Sequence, residues 1–222
     1  MRTILSDFSL ALRVLGRAPS FALAVIAVLG LGIGANTAIF SIVNAVLLRP
    51  LAFPDSDRLV RLFHVPPQST FPGIKLFSVS PANFYDWQHD AHSFDRMAIY
   101  HGNRFTLTGA GNPELVLATS VGDGFFDIVG VQAEVGRVFL PEEDSPARGH
   151  VVILGNAFWK SHFGGARDAL GRALILDGES YTIVGVMPAS FTNASWGATA
   201  QPLWVPNAFT AKDRAVRDNH ND

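Results

Sequence analysis

The sequence predicts an α+β fold in which one N-terminal transmembrane helix precedes a mixed α/β domain. Two observations predict this fold. Residues 18–48 form a run of 31 residues without a single Asp, Glu, Lys or Arg. Residues 49–222 contain no second run of this kind, and short apolar segments alternate there with Gly, Pro and Asp. That alternation is typical of short strands and helices joined by turns.

Charge and cysteine content exclude several classes of function. The chain carries 17 Lys and Arg against 19 Asp and Glu, so its net charge of -2 leaves no basic footprint for a nucleic-acid partner. The absence of cysteine excludes disulfide scaffolds, thiolate zinc sites and thiol catalysis. We therefore look for function in the apolar run and in the fold of the domain that follows it.

The uncharged run is long enough to cross a bilayer, because a spanning helix needs only ~20 apolar residues. A cleavable signal peptide has a shorter apolar region of roughly 7–15 residues. A buried core helix of this length would be exceptional among helices that average about 11–12 residues. We therefore interpret residues 18–48 as an uncleaved transmembrane helix.

Three glycines in this run, Gly30, Gly32 and Gly34, predict packing against other membrane helices. Gly30 and Gly34 match the small-xxx-small pattern that lets two helices approach closely. The amides of Asn36 and Asn44 are costly when they face lipid, which also favours a helix with protein neighbours. The three glycines are the candidate site residues of the chain.

Residues 1–17 are predicted to form a short amphipathic helix at the membrane surface. Phe8, Leu12 and Leu15 recur at helical spacing, with Arg13 and Arg17 among them. The positive-inside rule does not orient the chain, because three arginines precede the uncharged run closely and three follow it.

The first half of the soluble domain is predicted from strand alternation and from helix start and stop signals. Ser80-Pro81 supplies an N-cap and a first helical residue, and Gly130 supplies a helix stop. The predicted elements are, in order, a strand at 58–64, a helix from Ser80-Pro81, strands at 96–101 and 115–121, and a short helix at 122–130.

The second half contains the strongest turn signal of the chain, Asp177-Gly178, which predicts a two-residue hairpin turn. Prolines bracket the last apolar segment, and proline is tolerated at the edge of a sheet. The predicted elements are a buried strand at 151–154, a helix that Asn156 opens and Gly164 ends, a hairpin of strands 172–176 and 181–186, and a final edge strand at 202–206. Trp87, Trp159 and Trp204 lie among apolar neighbours and are predicted to be core or interface anchors.

The spacing of polar residues supports no catalytic site. His89 and His92 lie three residues apart, but the Glu of a metalloprotease helix is missing, so we interpret them as solvated residues at a helix end. The chain has no Gly-x-Ser-x-Gly elbow and no phosphate-binding loop with a following Lys. We therefore predict no catalytic residue, no cofactor and no metal, and we do not expect an enzyme.

The acidic residues give no sign of a metal or acid–base site. The three adjacent carboxylates at 142–144 have no partner His at ligand spacing, which predicts a solvated turn or helix start rather than a metal site. No sequence spacing pairs the other carboxylates for acid–base catalysis. These other carboxylates include Asp86, Asp95, Asp123 and Asp127.

Four blocks of sequence, in this order, resemble the MacB/FtsX-type ABC transporter permeases, and in particular the duplicated orphan permeases that lack a fused ATPase. The blocks cover nearly the whole chain: Leu31–Leu62, Ser80–Tyr100, Val129–Asp144 and Gly155–Phe191. The resemblance implies a single-pass protein of the plasma (inner) membrane with a cytoplasmic N-terminus. It divides the chain into a cytoplasmic amphipathic helix (1–17), a transmembrane helix (18–48) and a MacB-like periplasmic core domain (49–222).

The resemblance also implies a function. Permeases of this group couple ATP hydrolysis by a separate cytoplasmic ABC ATPase to motion of the extracytoplasmic domain, so the expected partners are the membrane, that ATPase and other permease chains in a homo- or hetero-oligomer. Family chains normally continue beyond the position of Asp222, so we expect the core domain to be incomplete at its C-terminus. The alternative is a single-span, membrane-tethered binding module that does not itself transport.

Overall fold

The computed structural model describes residues 18–44, 55–109, 111–191 and 201–217. The chain divides into two compact units, Met1–Pro50 and Leu51–Asp222. The predicted amphipathic helix at 1–17 lies outside the described residues.

The N-terminal unit contains one helix, α1 (Pro19–Val43), in its described part. Pro19 occupies the first turn, where its missing N–H costs no intrahelical hydrogen bond. None of the helix residues is buried. Helix α1 lies within the predicted range 18–48, and residues 45–48 of that prediction lie outside the described part.

The C-terminal unit combines short helices with a mixed sheet. Its helices are α2 (Pro81–Asp90), α3 (Phe125–Val129), α4 (Asn156–Phe163) and α5 (Ala211–Arg214). Its strands are β1 (Tyr100–Thr108), β2 (Glu114–Val121), β3 (Val135–Gly136), β4 (Val151–Leu154), β5 (Ala173–Leu176), β6 (Glu179–Val186) and β7 (Leu203–Pro206). Short 3-10 turns occur at Ser56–Arg58, Pro141–Glu143 and Arg167–Ala169.

The strands form a 7-stranded sheet in the order β3-β6-β4-β7-β2-β1-β5. Strand β5, at the end of this order, also pairs with β6, so the ladder of strands closes on itself. The β2–β7 and β4–β6 pairs are parallel, and the other pairs are antiparallel. Closure removes most of the free edges that an open sheet would present.

Two apolar clusters form the core. The α4 cluster gathers buried side chains from α4 and from six strands, with Val135 of β3 packed against it. The α3 cluster gathers side chains from α3 and from the other face of the sheet. In β4, Val152 and Leu154 belong to the α4 cluster and Ile153 belongs to the α3 cluster. In β7, Leu203 and Val205 belong to the α4 cluster and Trp204 belongs to the α3 cluster. The clusters alternate along each strand because successive side chains point to opposite faces.

Most local predictions for this unit are confirmed. Helix α2 begins at Pro81 after Ser80, although the Ser80 hydroxyl makes no capping hydrogen bond. Helices α3 and α4 end at Gly130 and Gly164, both in the left-handed conformation. Strand β2, strand β4 and the β5–β6 hairpin lie at the predicted places. Trp159 and Trp204 are core residues, whereas Trp87 is half-buried outside both clusters.

Three sequence predictions are wrong or shifted. The predicted strand at 58–64 forms only one bridge, between His64 and Phe77, because no described strand lies along its other residues. The strand predicted at 96–101 begins at Tyr100 and continues to Thr108. The predicted edge strand at 202–206 is β7, which lies inside the sheet between β4 and β2 with all four residues buried.

Candidate functional site

Helix α1 is the first candidate, because it is long and apolar enough to cross a membrane by length and composition. Its 25 residues at about 1.5 Å each exceed the roughly 30 Å thickness of a bilayer core. The best window has a mean hydropathy of 2.1 and is 0% buried. A core helix of a soluble protein would bury such a surface, so the exposure of α1 favours a membrane environment.

The three predicted glycines all lie in α1. A Cβ added at Gly30, Gly32 or Gly34 would meet no atom within 4 Å. Gly30 and Gly34 lie one above the other on one face, whereas Gly32 lies about 200° around the helix from Gly30. The structure therefore groups Gly30 with Gly34 and separates Gly32 from them.

An ion pair between Arg137 and Glu143 organises the 3-10 turn Pro141–Glu143 of the C-terminal unit. The Arg137 guanidinium donates to both carboxylate oxygens of Glu143, with distances of 2.8 Å from Nη1 to Oε2 and 2.6 Å from Nη2 to Oε1. The backbone N–H of Leu140 donates to Glu143 Oε2 at 2.8 Å. Glu143 is only 7% exposed, so the prediction of a solvated carboxylate at this position is wrong.

These contacts decide the ionisation of Glu143. Burial by itself raises the pKa of the carboxyl, but the hydrogen bonds from Arg137 and Leu140 and the Arg137 charge act in the opposite direction and outweigh it. The pKa of Glu143 therefore lies below its ordinary value. A Glu at this spacing after Leu140 matches the return bond of a capping box, which is the signal by which the sequence indicates this contact.

The Asp144 carboxylate accepts hydrogen bonds from two separate loops of the C-terminal unit. Its Oδ2 accepts from the backbone N–H of Asp123 at 3.1 Å, and its Oδ1 accepts from the backbone N–H of Ala208 at 2.8 Å. Ala208 adopts φ 48, a left-handed conformation that is uncommon for a residue with a side chain. Asp144 thus holds the β2–α3 turn and the segment after β7 together.

Helix α2 receives the C-terminal segment of the described chain. Arg217 Nη1 donates to Asp86 Oδ2 at 2.6 Å and to Asn83 Oδ1 at 3.4 Å. The Arg214 guanidinium lies 4.7 Å from the centre of the Tyr85 ring. Burial raises the pKa of the Tyr85 hydroxyl, while the Arg214 charge lowers it and the Asp144 charge raises it. A cleft of about 230 Å³ lies beside these groups and is smaller than most sites for small molecules, which begin near ~300 Å³.

The other polar candidates are structural in this fold. Asp86, Asp95 and Asp127 pair with Arg217, Arg58 and Arg96, respectively. His89 Nδ1 lies 2.7 Å from Asp90 Oδ1 on the exposed surface, and this hydrogen bond raises the pKa of His89. Throughout the described ranges, no group of three His, Cys, Asp or Glu side chains is placed to hold a metal ion.

Residues 21–221 match the model of the MacB-like periplasmic core domain. The chain belongs to this family. The resemblance to the MacB/FtsX-type permeases is thereby confirmed, as is the predicted order of one apolar helix followed by a mixed α/β core domain. Members of the MacB-like family are components of ABC transporter permeases rather than enzymes, and they associate in general with a membrane and an ATPase.

Two solved structures similar to this MacB-like chain are domains of transporters. The extracellular domain of the noncanonic ABC-type transporter YknZ from Gram-positive bacteria has 14% identity and a TM-score of 0.48, covering 65% of this chain and 70% of that chain. The periplasmic region of MacB from Actinobacillus actinomycetemcomitans has 16% identity and a TM-score of 0.42, covering 68% of this chain and 75% of that chain. No curated protein matches this chain.

Proposed function

We propose that this chain is a membrane-anchored permease component that couples a cytoplasmic ABC ATPase to an extracytoplasmic domain. One observation carries the proposal: an uncharged helix of 25 residues, none of them buried, lies at the N-terminal end of the stretch that matches the MacB-like core domain. An anchor joined to such a domain can pass motion of membrane helices to the domain. The Arg137–Glu143 ion pair and the two hydrogen bonds that Asp144 accepts support this role, because they stiffen the loops of the domain that would be moved.

The proposal assigns each part of the chain to a compartment. Residues 1–17 lie in the cytoplasm, and residues 18–48 cross the plasma (inner) membrane. Residues 49–222 form the extracytoplasmic domain, which we call the outer domain. The chain has no cysteine, so single cysteines can report the orientation. A membrane-impermeant maleimide should label Leu115→Cys, an exposed position in β2, in intact cells, and should label Ser6→Cys only after permeabilisation. The reverse pattern would overturn the orientation.

The glycines of α1 supply the proposed contact with other permease chains. Gly30 and Gly34 leave a shallow strip on one face of the helix, and the open space above each Cα admits a second helix at close range. The partner is a helix of another permease chain or of a second copy of this chain. Gly32, on the far side of α1, is proposed to lie against a different helix.

Coupling is tested with the full chain and an ABC ATPase in proteoliposomes. An environment-sensitive fluorophore on Leu115→Cys should change its emission when ATP is added, and should not change with an ATPase that binds but does not hydrolyse ATP. Co-purification with the ATPase is the accompanying measurement. If the chain inserts but neither binds an ATPase nor responds to ATP, the coupling proposal fails and the membrane-tethered binding module replaces it.

A further inference from the structure

An exposed apolar segment, residues 59–77, precedes α2 in the outer domain, and we call it the apolar loop. It contains seven large apolar side chains whose exposed fractions lie between 36% and 69%. These side chains are Val60, Leu62, Phe63, Val65, Phe71, Ile74 and Leu76. Seven such residues within one short segment exceed the scattered single apolar residues that are normal on a soluble surface.

The tip of the apolar loop is held in one conformation by its own hydrogen bonds. The Gln68 side chain spans the loop, donating from Nε2 to the Ile74 carbonyl at 2.6 Å and accepting at Oε1 from the Gly73 N–H at 3.3 Å. The rings of Phe71 and Phe77 meet edge to face at 5.0 Å. These contacts hold the loop in one conformation in which Phe71 and Ile74 are exposed. A loop that is already ordered loses less conformational entropy when it binds a surface.

The charges of the apolar loop have one sign. Its ionisable residues are Arg61, His64 and Lys75, and no Asp or Glu occurs between Asp57 and Asp86. The Arg61 guanidinium covers the rings of Phe63 and Tyr100, at 4.6 Å and 5.3 Å from their centres. Lys75 lies between the exposed residues Ile74 and Leu76. Apolar side chains mixed with cations are typical of segments that lie in the headgroup region of a bilayer.

The apolar loop follows the proposed membrane anchor in the chain. The apolar loop is the first described segment of the outer domain after the 3-10 turn at Ser56–Arg58, and it follows α1 in sequence. With α1 as the proposed anchor, the apolar loop is thus an early part of the domain in chain order, and lipid headgroups are the surface that we infer it binds.

We infer that the apolar loop inserts Phe71, Ile74 and Leu76 into the headgroup region of the membrane, with Lys75 binding anionic headgroups. This inference rests on the proposed anchoring by α1. The contact fixes the outer domain to the bilayer at a second point in addition to its anchor. Lipid binding of this kind gains from both apolar burial and attraction to negative headgroups.

Depth-dependent quenching in proteoliposomes tests the inference. The full chain is labelled with one nitrobenzoxadiazole probe at Ile74→Cys, at Leu115→Cys as an exposed leucine elsewhere in the domain, or at Ile33→Cys within α1. The vesicles contain phosphatidylcholine and phosphatidylglycerol with brominated acyl chains. We expect a blue shift and bromine quenching at Ile74 and Ile33, and neither effect at Leu115.

The three positions separate the possible failures. Quenching at Ile33 without quenching at Ile74 overturns lipid contact by the loop and leaves the anchor intact. Absence of quenching at both positions overturns the anchoring on which the inference rests. A blue shift at Ile74 without bromine quenching shows that protein rather than lipid covers the loop, which also overturns the inference. Equal quenching at Leu115 overturns it too, since the contact would then not be specific to the loop.

A charge reversal tests the part of Lys75. In vesicles with phosphatidylglycerol, Lys75→Glu should reduce the quenching at Ile74, and the reduction should disappear in vesicles of phosphatidylcholine alone. Lys160→Glu, which reverses an exposed lysine on α4, is the matched control and should leave the quenching unchanged. Equal loss for both variants, or no loss for Lys75→Glu, contradicts the role given to Lys75.

Discussion

The Arg137 guanidinium donates two parallel hydrogen bonds, of 2.8 Å and 2.6 Å, to the carboxylate of Glu143, a residue that is almost fully buried. The geometry of a guanidinium matches a carboxylate in this bidentate arrangement, which a lysine cannot reproduce. Gly136, immediately before Arg137, pairs with Gly185 of β6. The ion pair therefore fastens the 3-10 turn directly to the edge strand β3.

Glu143→Gln should destabilise the outer domain by about 2 kcal/mol at neutral pH, because the amide loses the negative charge and keeps only one acceptor oxygen for the partly buried guanidinium. The pKa of Glu143 is depressed in the folded state, so its stabilisation is complete above its ordinary pKa of 4.5 and is lost as the pH falls through the folded value. Urea unfolding of the detergent-solubilised chain at several pH values measures this. Glu142→Gln, at the exposed neighbour, should change little. Equal losses at the two positions would contradict the pairing.

Trp204→Ala should cost about 3–5 kcal/mol of unfolding free energy, which is the usual range for a buried large aromatic residue. The Trp204 ring lies 5.8 Å, 5.7 Å and 5.2 Å from the rings of Phe125, Phe126 and Phe191. Thermal unfolding followed by near-ultraviolet circular dichroism measures the loss. Trp87→Ala, outside both clusters, should cost clearly less. A similar cost for both would mean that the α3 cluster does not depend on this ring.

Gly185→Ala should destabilise the sheet by about 1–3 kcal/mol, because a Cβ at this position overlaps the Arg137 carbonyl oxygen. Gly102→Ala in β1 is the matched control, since its Cβ would meet nothing within 4 Å. That control should be neutral or gain about 0.5 kcal/mol from reduced backbone entropy in the unfolded chain. Denaturant midpoints of the two variants decide the matter, and a tolerated Gly185→Ala would show that β3 can move away from β6.

Gly30→Ile combined with Gly34→Ile should weaken association of α1 with its partner helices, because two bulky residues fill the strip that close packing needs. Crosslinking in mild detergent measures the association, and circular dichroism checks that the outer domain remains folded. Gly32→Ile places the same bulk on the other side of the helix and should disturb a different contact. Unchanged crosslinking in the double variant would remove the glycines from the proposed interface.

The elements that the sequence predicts well are those set by neighbouring residues. Asp177 and Gly178 have φ 51 and φ 85, so the turn of the β5–β6 hairpin depends on these two residues alone. Gly164 likewise ends α4 by its own left-handed conformation. The position of β7 is different, because its neighbours β2 and β4 come from distant parts of the chain. Its prolines indicate an edge, but long-range pairing places it in the middle of the sheet.

The same distinction applies to the site. The apolar run containing Gly30 and Gly34 is visible in the sequence, because composition and length alone define a candidate span. Burial of Glu143 is not visible, since the local pattern of three adjacent carboxylates is typical of a solvated turn. Only the fold shows that the Arg137 guanidinium contacts the Glu143 carboxylate. Exposure of the apolar loop also needs the structure, because the alternation at 58–64 predicts a strand that finds no partner strand among the described residues.

Two exposed ion pairs in and just beyond α2 have a mechanical consequence. Arg58, before the apolar loop, pairs with Asp95 just beyond α2, and Arg217 pairs with Asp86 within α2. Exposed ion pairs of this kind are worth at most about 1 kcal/mol, whereas the closed sheet unfolds only cooperatively. We therefore expect a force applied along the chain to break these two ion pairs before it separates the strands of the sheet.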